Sequence, residues 1–112
     1  MQFGSVDGFL YVSRITGPTH NLLQLKLSKV PPSALRCDEL HATGACNQGK
    51  LDAAKIQEAV KLGVASANAA LGTEFYAFHI RYVANDSGPE RVYGLLAEVL
   101  VSKVAAGELE VE

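Results

Sequence analysis

Thr73-Glu-Phe-Tyr-Ala-Phe-His-Ile-Arg-Tyr-Val-Ala84 lies between two stretches of helical spacing, and how this run is read decides the fold. Aromatic and β-branched residues dominate it, as they do in strands. Alternation puts Tyr76, Phe78, Ile80 and Tyr82 on one face, which we assign to the core, and Phe75, Ala77, His79, Arg81 and Val83 on the other. A strand with an aromatic inner face and ionisable His79 and Arg81 outside it is a scaffold that presents chemistry on one side.

Upstream, Asp52 can cap a long helix, with Leu51 before it packing on Ile56 as a hydrophobic staple. Ile56, Val60, Val64, Ala67 and Leu71 recur at three- and four-residue spacing, while Lys55, Glu58, Lys61 and Asn68 point away. Gly72 stands where a left-handed terminating residue belongs. Ala59, Gly63, Ser66 and Ala70 form a small-residue stripe, which reads as ordinary packing of a helix on a sheet. Downstream, Asn85-Asp-Ser-Gly-Pro-Glu90 is a turn in which Ser87 and Glu90 fit a capping box. The helix it starts would bury Val92, Leu96, Val99 and Leu100. Gly94 costs about 1 kcal/mol in a helix interior, and Leu95–Val101 is β-branched enough to read as a strand instead. Gly107 would end the element, leaving Glu108–Glu112 as an acidic tail or a short edge strand.

The first third is β-rich. Phe9–Ile15 is apolar and β-branched, Thr16-Gly-Pro-Thr19 is turn chemistry, and His20–Val30 alternates with Leu23, Leu25 and Leu27 on one side. The two runs pair as a hairpin, and Pro31-Pro32 ends the second because neither residue donates a ladder hydrogen bond. Leu35–His41 reads as a short strand or a helical turn, and Thr43–Lys50 as a loop. The expectation is an α+β fold, a mixed and mostly antiparallel sheet with both helices on one face, in the order strand, strand, helix, strand, helix, with a third strand before the first helix if Leu35–His41 is extended.

At 112 residues the chain makes one domain, residues 1–112, with room for a single core. A 20% charged content and a net charge of −2 are those of an ordinary globular protein, without the Lys/Arg cluster that nucleic-acid binding needs. Apolar runs are short of a membrane span, and no basic-then-apolar leader opens the chain, so a soluble cytoplasmic protein is expected. Two cysteines do not make a disulfide framework, which agrees with a reducing compartment. Walker, dinucleotide, nucleophile-elbow and paired-carboxylate motifs are all absent from the sequence.

The order of elements over Phe9–Ala106 resembles that of domain four of elongation factor G and, more loosely, formaldehyde-activating enzyme. In the latter family a histidine opens an apolar strand, and Thr19-His20-Asn21-Leu22-Leu23 is the matching stretch here. The resemblance implies a general-acid role for His20 on a pterin-bound substrate. The acidic residue that follows the family histidine has no counterpart after His20, and no pterin-contacting motif is matched.

Three constellations can carry chemistry. His20, His79 and Arg81 would converge if their strands were neighbours, with the histidines as acid–base groups and Arg81 as a two-point anchor for carboxylate or phosphate. The competing reading is a solvent-facing or oligomer-facing sheet surface. Asp86 beside the start of the second helix is a ligand-binding candidate, although turn chemistry alone explains it. Cys37, His41 and Cys46 are metal-ligand types, yet their spacing C-x3-H-x4-C matches no standard zinc knuckle. Two functional classes follow. One is a small oligomeric enzyme or binder of an anionic small molecule, using a histidine and Arg81 on the open sheet face. The other is a non-catalytic module whose sheet face packs against itself or a partner.

Overall fold

The computed structural model describes the backbone of residues 2–16, 19–40, 52–83 and 90–111, with side chains throughout except at 14–16, 19 and 20. Five strands, β1 (Gln2–Val6), β2 (Phe9–Thr16), β3 (Thr19–Ser28), β4 (Arg36–Leu40) and β5 (Tyr76–Val83), form one sheet in the order β1-β2-β3-β5-β4. Helix α1 (Ala53–Leu71) connects β4 to β5, which run parallel; the other neighbours are antiparallel. Helix α2 (Val92–Ala105) follows β5. The fold is α+β, with both helices contributing to the single core on one face of the sheet.

The leading strand β1 extends the expected order. It is joined to β2 by Asp7 and Gly8, both at positive φ (51° and 80°), the backbone of a tight hairpin turn whose twist matches the flanking strands. Asp-Gly is the strongest short-range signal for such a turn, but Gln2–Val6 is largely exposed and has no apolar alternation to mark it as a strand.

The helix-side core is built from Leu10 and Val12 of β2, Leu23, Leu25 and Leu27 of β3, and Ile80 and Tyr82 of β5. Into these pack Ile56, Val60 and Val64 of α1, and Tyr93, Leu96, Leu100 and Val101 of α2. The face assigned to β5 holds for Ile80 and Tyr82 and fails below them. Lys26 pairs with His79 while Leu27 pairs with Ala77, so Phe78 is the extra residue of a β-bulge. The slip turns Phe75, 7% exposed, and Ala77 toward the core, and sets Tyr76 opposite Ser28. Phe75 and Ala77 therefore do not share the outer face with His79 and Arg81.

Helix α1 begins and ends at the residues its sequence implies. Asp52 Oδ1 accepts from the Ala54 amide at 2.9 Å, and Gly72 at φ 69° closes the helix as its amide and that of Thr73 donate to the Asn68 carbonyl. Leu51, the proposed staple, lies outside the described residues. Leu95–Val101 is helical, and Gly107 at φ 79° ends α2. Helix α2 starts at Val92, later than the proposed capping box implied. Ser87 lies outside the described residues, the residue capping α2 is Arg91, and Glu90 Oε2 accepts instead from the Asp52 amide at 2.9 Å. This joins the two helix N-termini and holds the Glu90 carboxyl below its usual range.

Ala59 and Gly63 of the small-residue stripe make a helix–helix contact, whereas Ser66 and Ala70 are exposed. A Cβ at Gly63 would collide with the Gly94 carbonyl oxygen, and a Cβ at Gly94 would come 2.8 Å from the Ala59 carbonyl oxygen. Gly94 is costly in an isolated helix because it has no side chain, and that same absence lets α1 and α2 approach backbone to backbone. Beyond α2, Leu109 is 8% exposed in the core cluster and Val111 packs against it, so the acidic C-terminal run is anchored by its apolar members.

Candidate functional site

The sheet face away from the helices is the face of Phe9 and Tyr11 on β2, Gln24 and Lys26 on β3, His79 and Arg81 on β5, and Arg36 and Asp38 on β4. Register fixes two rows across it. Gly4, Tyr11, Gln24, Arg81 and Asp38 are successive partners across all five strands, and Lys26, His79 and Arg36 form the adjacent row. At Gly4 a Cβ would stand 2.9 Å from the Tyr11 ring, so this glycine makes room for the tyrosine at the sheet edge.

At the centre of this face Phe9 is only 2% exposed, and what covers it is cationic. The Arg81 guanidinium carbon lies 4.0 Å from the ring centroid and Lys26 Nζ 4.9 Å, while the His79 ring meets it edge-on with centroids 4.8 Å apart. The negative quadrupole face of the ring favours such neighbours and holds them in place. Phe9 thus gathers three nitrogen-bearing side chains around one ring.

Asp38 orders the site from the other side. Its Oδ2 is 2.8 Å from His79 Nε2 and accepts from Arg36 Nε at 2.8 Å. The hydrogen bond to His79 is the main cause that keeps the Asp38 carboxyl below its ordinary 3.8, with the Arg36 charge adding to it and partial desolvation opposing it. An ionised carboxylate can only accept, so His79 Nε2 is the donor. The His79 side chain is 13% exposed, so its orientation is set by packing as well as by Asp38. Next to Arg81 in the register, Gln24 Oε1 is buried and has no hydrogen-bond partner among the described residues. A buried acceptor left over in this way is uncommon, and it adds an acceptor beside the cations.

Of the residues singled out from sequence, His79 and Arg81 share this site. His20 pairs with Ile15 near the β2–β3 turn. Its backbone is six residues along β3 from Lys26, the partner of His79, or about 20 Å at the rise of a strand. The register therefore does not set His20 beside His79. Asp86, His41 and Cys46 lie outside the described residues. Cys37 is half-buried on β4, paired with Ile80 on the helix side, and burial pushes its thiol pKa up despite a hydrogen bond with Gln57. That makes it a poorer thiolate donor than a free cysteine. Among the described residues, no three His, Cys, Asp or Glu side chains form a group that could hold a metal ion.

Sequence reasoning did not pick out Phe9, Lys26, Arg36 or Asp38 as site residues. The Arg36-x-Asp38 spacing, two residues on one face of a strand, was the available signal. Its meaning depended on the parallel pairing of β4 with β5, which is made only after the whole of α1 has crossed over.

No protein family model matches this chain, and neither a curated protein nor a solved structure is significantly similar to it. Among the described residues, no helix is long and apolar enough to cross a membrane.

Proposed function

We propose that the open sheet face binds a small anionic molecule, with Arg81 and Lys26 as anchors and His79, oriented by Asp38, as the group that donates or accepts a proton. The observation that carries this reading is the 2.8 Å Asp38–His79 hydrogen bond, set beside Arg81 and Lys26 on the Phe9 ring. Among the described residues, the charged side chains of this face are Lys26, Arg36, Arg81 and Asp38. In a chain of net charge −2 this face is therefore locally positive. An arginine fork suits carboxylate or phosphate, and a carboxylate-held imidazole suits acid–base work on whatever that anion carries. The acid–base role passes from His20, where the resemblance to formaldehyde-activating enzyme put it, to His79.

A thermal-shift panel of phosphate- and carboxylate-bearing metabolites tests the reading. At least one should raise the Tm of the wild type, and Arg81→Met combined with Lys26→Met should abolish that rise. A panel without a stabilising anion, or a rise that survives the double substitution, would count against it.

The second reading is a non-catalytic module whose open face packs on another copy or on a partner. Leu40 and Val83, paired and half-buried at one end of that face, favour it. On this reading Arg81→Glu changes the assembly mass measured by light scattering. An unchanged monomeric mass for both proteins removes the self-association version.

A further inference from the structure

A cleft of about 420 Å³ lies between α1, the β3–β4 connection and the first residues of β5. Its origin is topological. β4 pairs with β5 only from His79 onward, so the start of β5 has no strand neighbour on that side among the described residues. The connection instead passes over the gap, and Pro32, Leu35, Val64, Phe75 and Ala77 line what remains.

The wall is held in place before anything binds. Asn68 Nδ2 donates to the Phe75 carbonyl at 2.9 Å, and its Oδ1 accepts from the Phe75 amide at 3.1 Å and the Thr73 hydroxyl at 2.9 Å. These bonds use the amide of Asn68 in fixing β5 to α1. Lys61 is then the charged residue lining the cleft, one helical turn before the buried Val64. Among the described residues no acidic side chain lines it. The volume is within the range of small-molecule sites, which are typically apolar with a few convergent polar groups.

We infer that this cleft is a second binding site, for a small monocarboxylic acid with a compact hydrocarbon body. The hydrocarbon lies against Leu35, Val64 and Ala77, and the carboxylate pairs with the Lys61 ammonium at the mouth. Lysine suits this role as a point charge on a flexible stem that remains hydrated at the rim.

The test is titration of ¹⁵N-labelled protein with benzoate and hexanoate, each compared with its neutral amide. Amide resonances of Leu35, Val64 and Ala77 should shift with both acids, and each acid should bind about fivefold more tightly than its amide, the scale of a rim ion pair. Lys61→Met keeps the stem and should remove that preference. Ala65→Phe, or Ala65→Met where the larger ring perturbs the spectrum, fills the cleft and should weaken acid and amide alike. Arg81→Met should change nothing here, which separates this site from the open face. The inference is overturned if neither acid shifts these resonances, if the shifts centre on His79 and Arg81, or if the preference for the acid survives Lys61→Met.

Discussion

The two faces of this sheet are made by alternate residues of the same strands, and they are buried by different means. On the helix face Leu25 is covered by side chains of its own kind, supplied by α1 and α2, and is 0% exposed. On the open face Phe9 reaches 2% exposure beneath Arg81, Lys26 and His79, and neither α1 nor α2 packs on it. The first arrangement gains from excluding water. The second gains less, because the covering groups must remain charged and hydrated at their tips. The contrast separates the stabilising half of the molecule from the half with chemistry to spare.

If that division is right, the largest losses come from the helix side. Leu25→Ala on the central strand β3 should cost about 3 kcal/mol, measured by chemical denaturation, because a cavity opens where the sheet and both helices meet. A loss below about 1 kcal/mol would mean that the core is not packed as described. Gly63→Ala comes next, at about 2 kcal/mol. Its methyl group would strike the Gly94 carbonyl, and the strain of overpacking outweighs the gain in helix propensity of about 1 kcal/mol. A more stable variant would contradict the backbone-to-backbone contact of α1 and α2.

Tyr82 sharpens the comparison through pH. It is 1% exposed, its hydroxyl donates to Glu39 Oε1 at 3.2 Å, and burial first, then the Glu39 charge, pushes its pKa from 10 up to about 12. A raised folded-state pKa favours the neutral form. The stability this contributes is complete below pH 10 and is lost as pH rises toward and past 12, for a total of about 2–3 kcal/mol. Denaturation midpoints of Tyr82→Phe should fall less than the wild type's across that window, and parallel curves would sink the point. Asp38 works in the opposite direction. Its depressed pKa contributes stability above its ordinary 3.8, and that contribution is lost as pH falls through the lower folded value. The smallest effect is expected from Phe9→Leu on the open face. It retains an apolar residue and removes the ring from under the cations, at about 1 kcal/mol. A cost equal to that of Leu25→Ala would erase the distinction between the faces.

What could be read from the sequence follows the same division, between features fixed locally and features fixed by a distant partner. Asp52 and Gly72 bound α1 because capping is decided within a turn of the helix, and Leu23, Leu25 and Leu27 point inward because alternation belongs to the strand itself. The bulge at Phe78 is a matter of register against Lys26 and Leu27, so the outer face assigned to Phe75 and Ala77 was beyond the reach of alternation. Gly63 and Gly94 are 31 residues apart and acquire their meaning only in contact. The same holds for the site. His79 and Arg81 announced themselves as polar residues on an apolar strand, whereas Asp38 joined them only through a parallel pairing across a 19-residue helix.

The central claim is that His79, held by Asp38, and Arg81 form one anion-responsive unit. Long-range ¹H–¹⁵N correlation spectra of the His79 imidazole, recorded with and without inorganic phosphate, test it most directly. The account predicts a ring with its proton on Nε2, whose resonances move on phosphate addition in the wild type and stay fixed in Arg81→Met. A ring protonated on Nδ1, or a phosphate response unaffected by Arg81→Met, would contradict it.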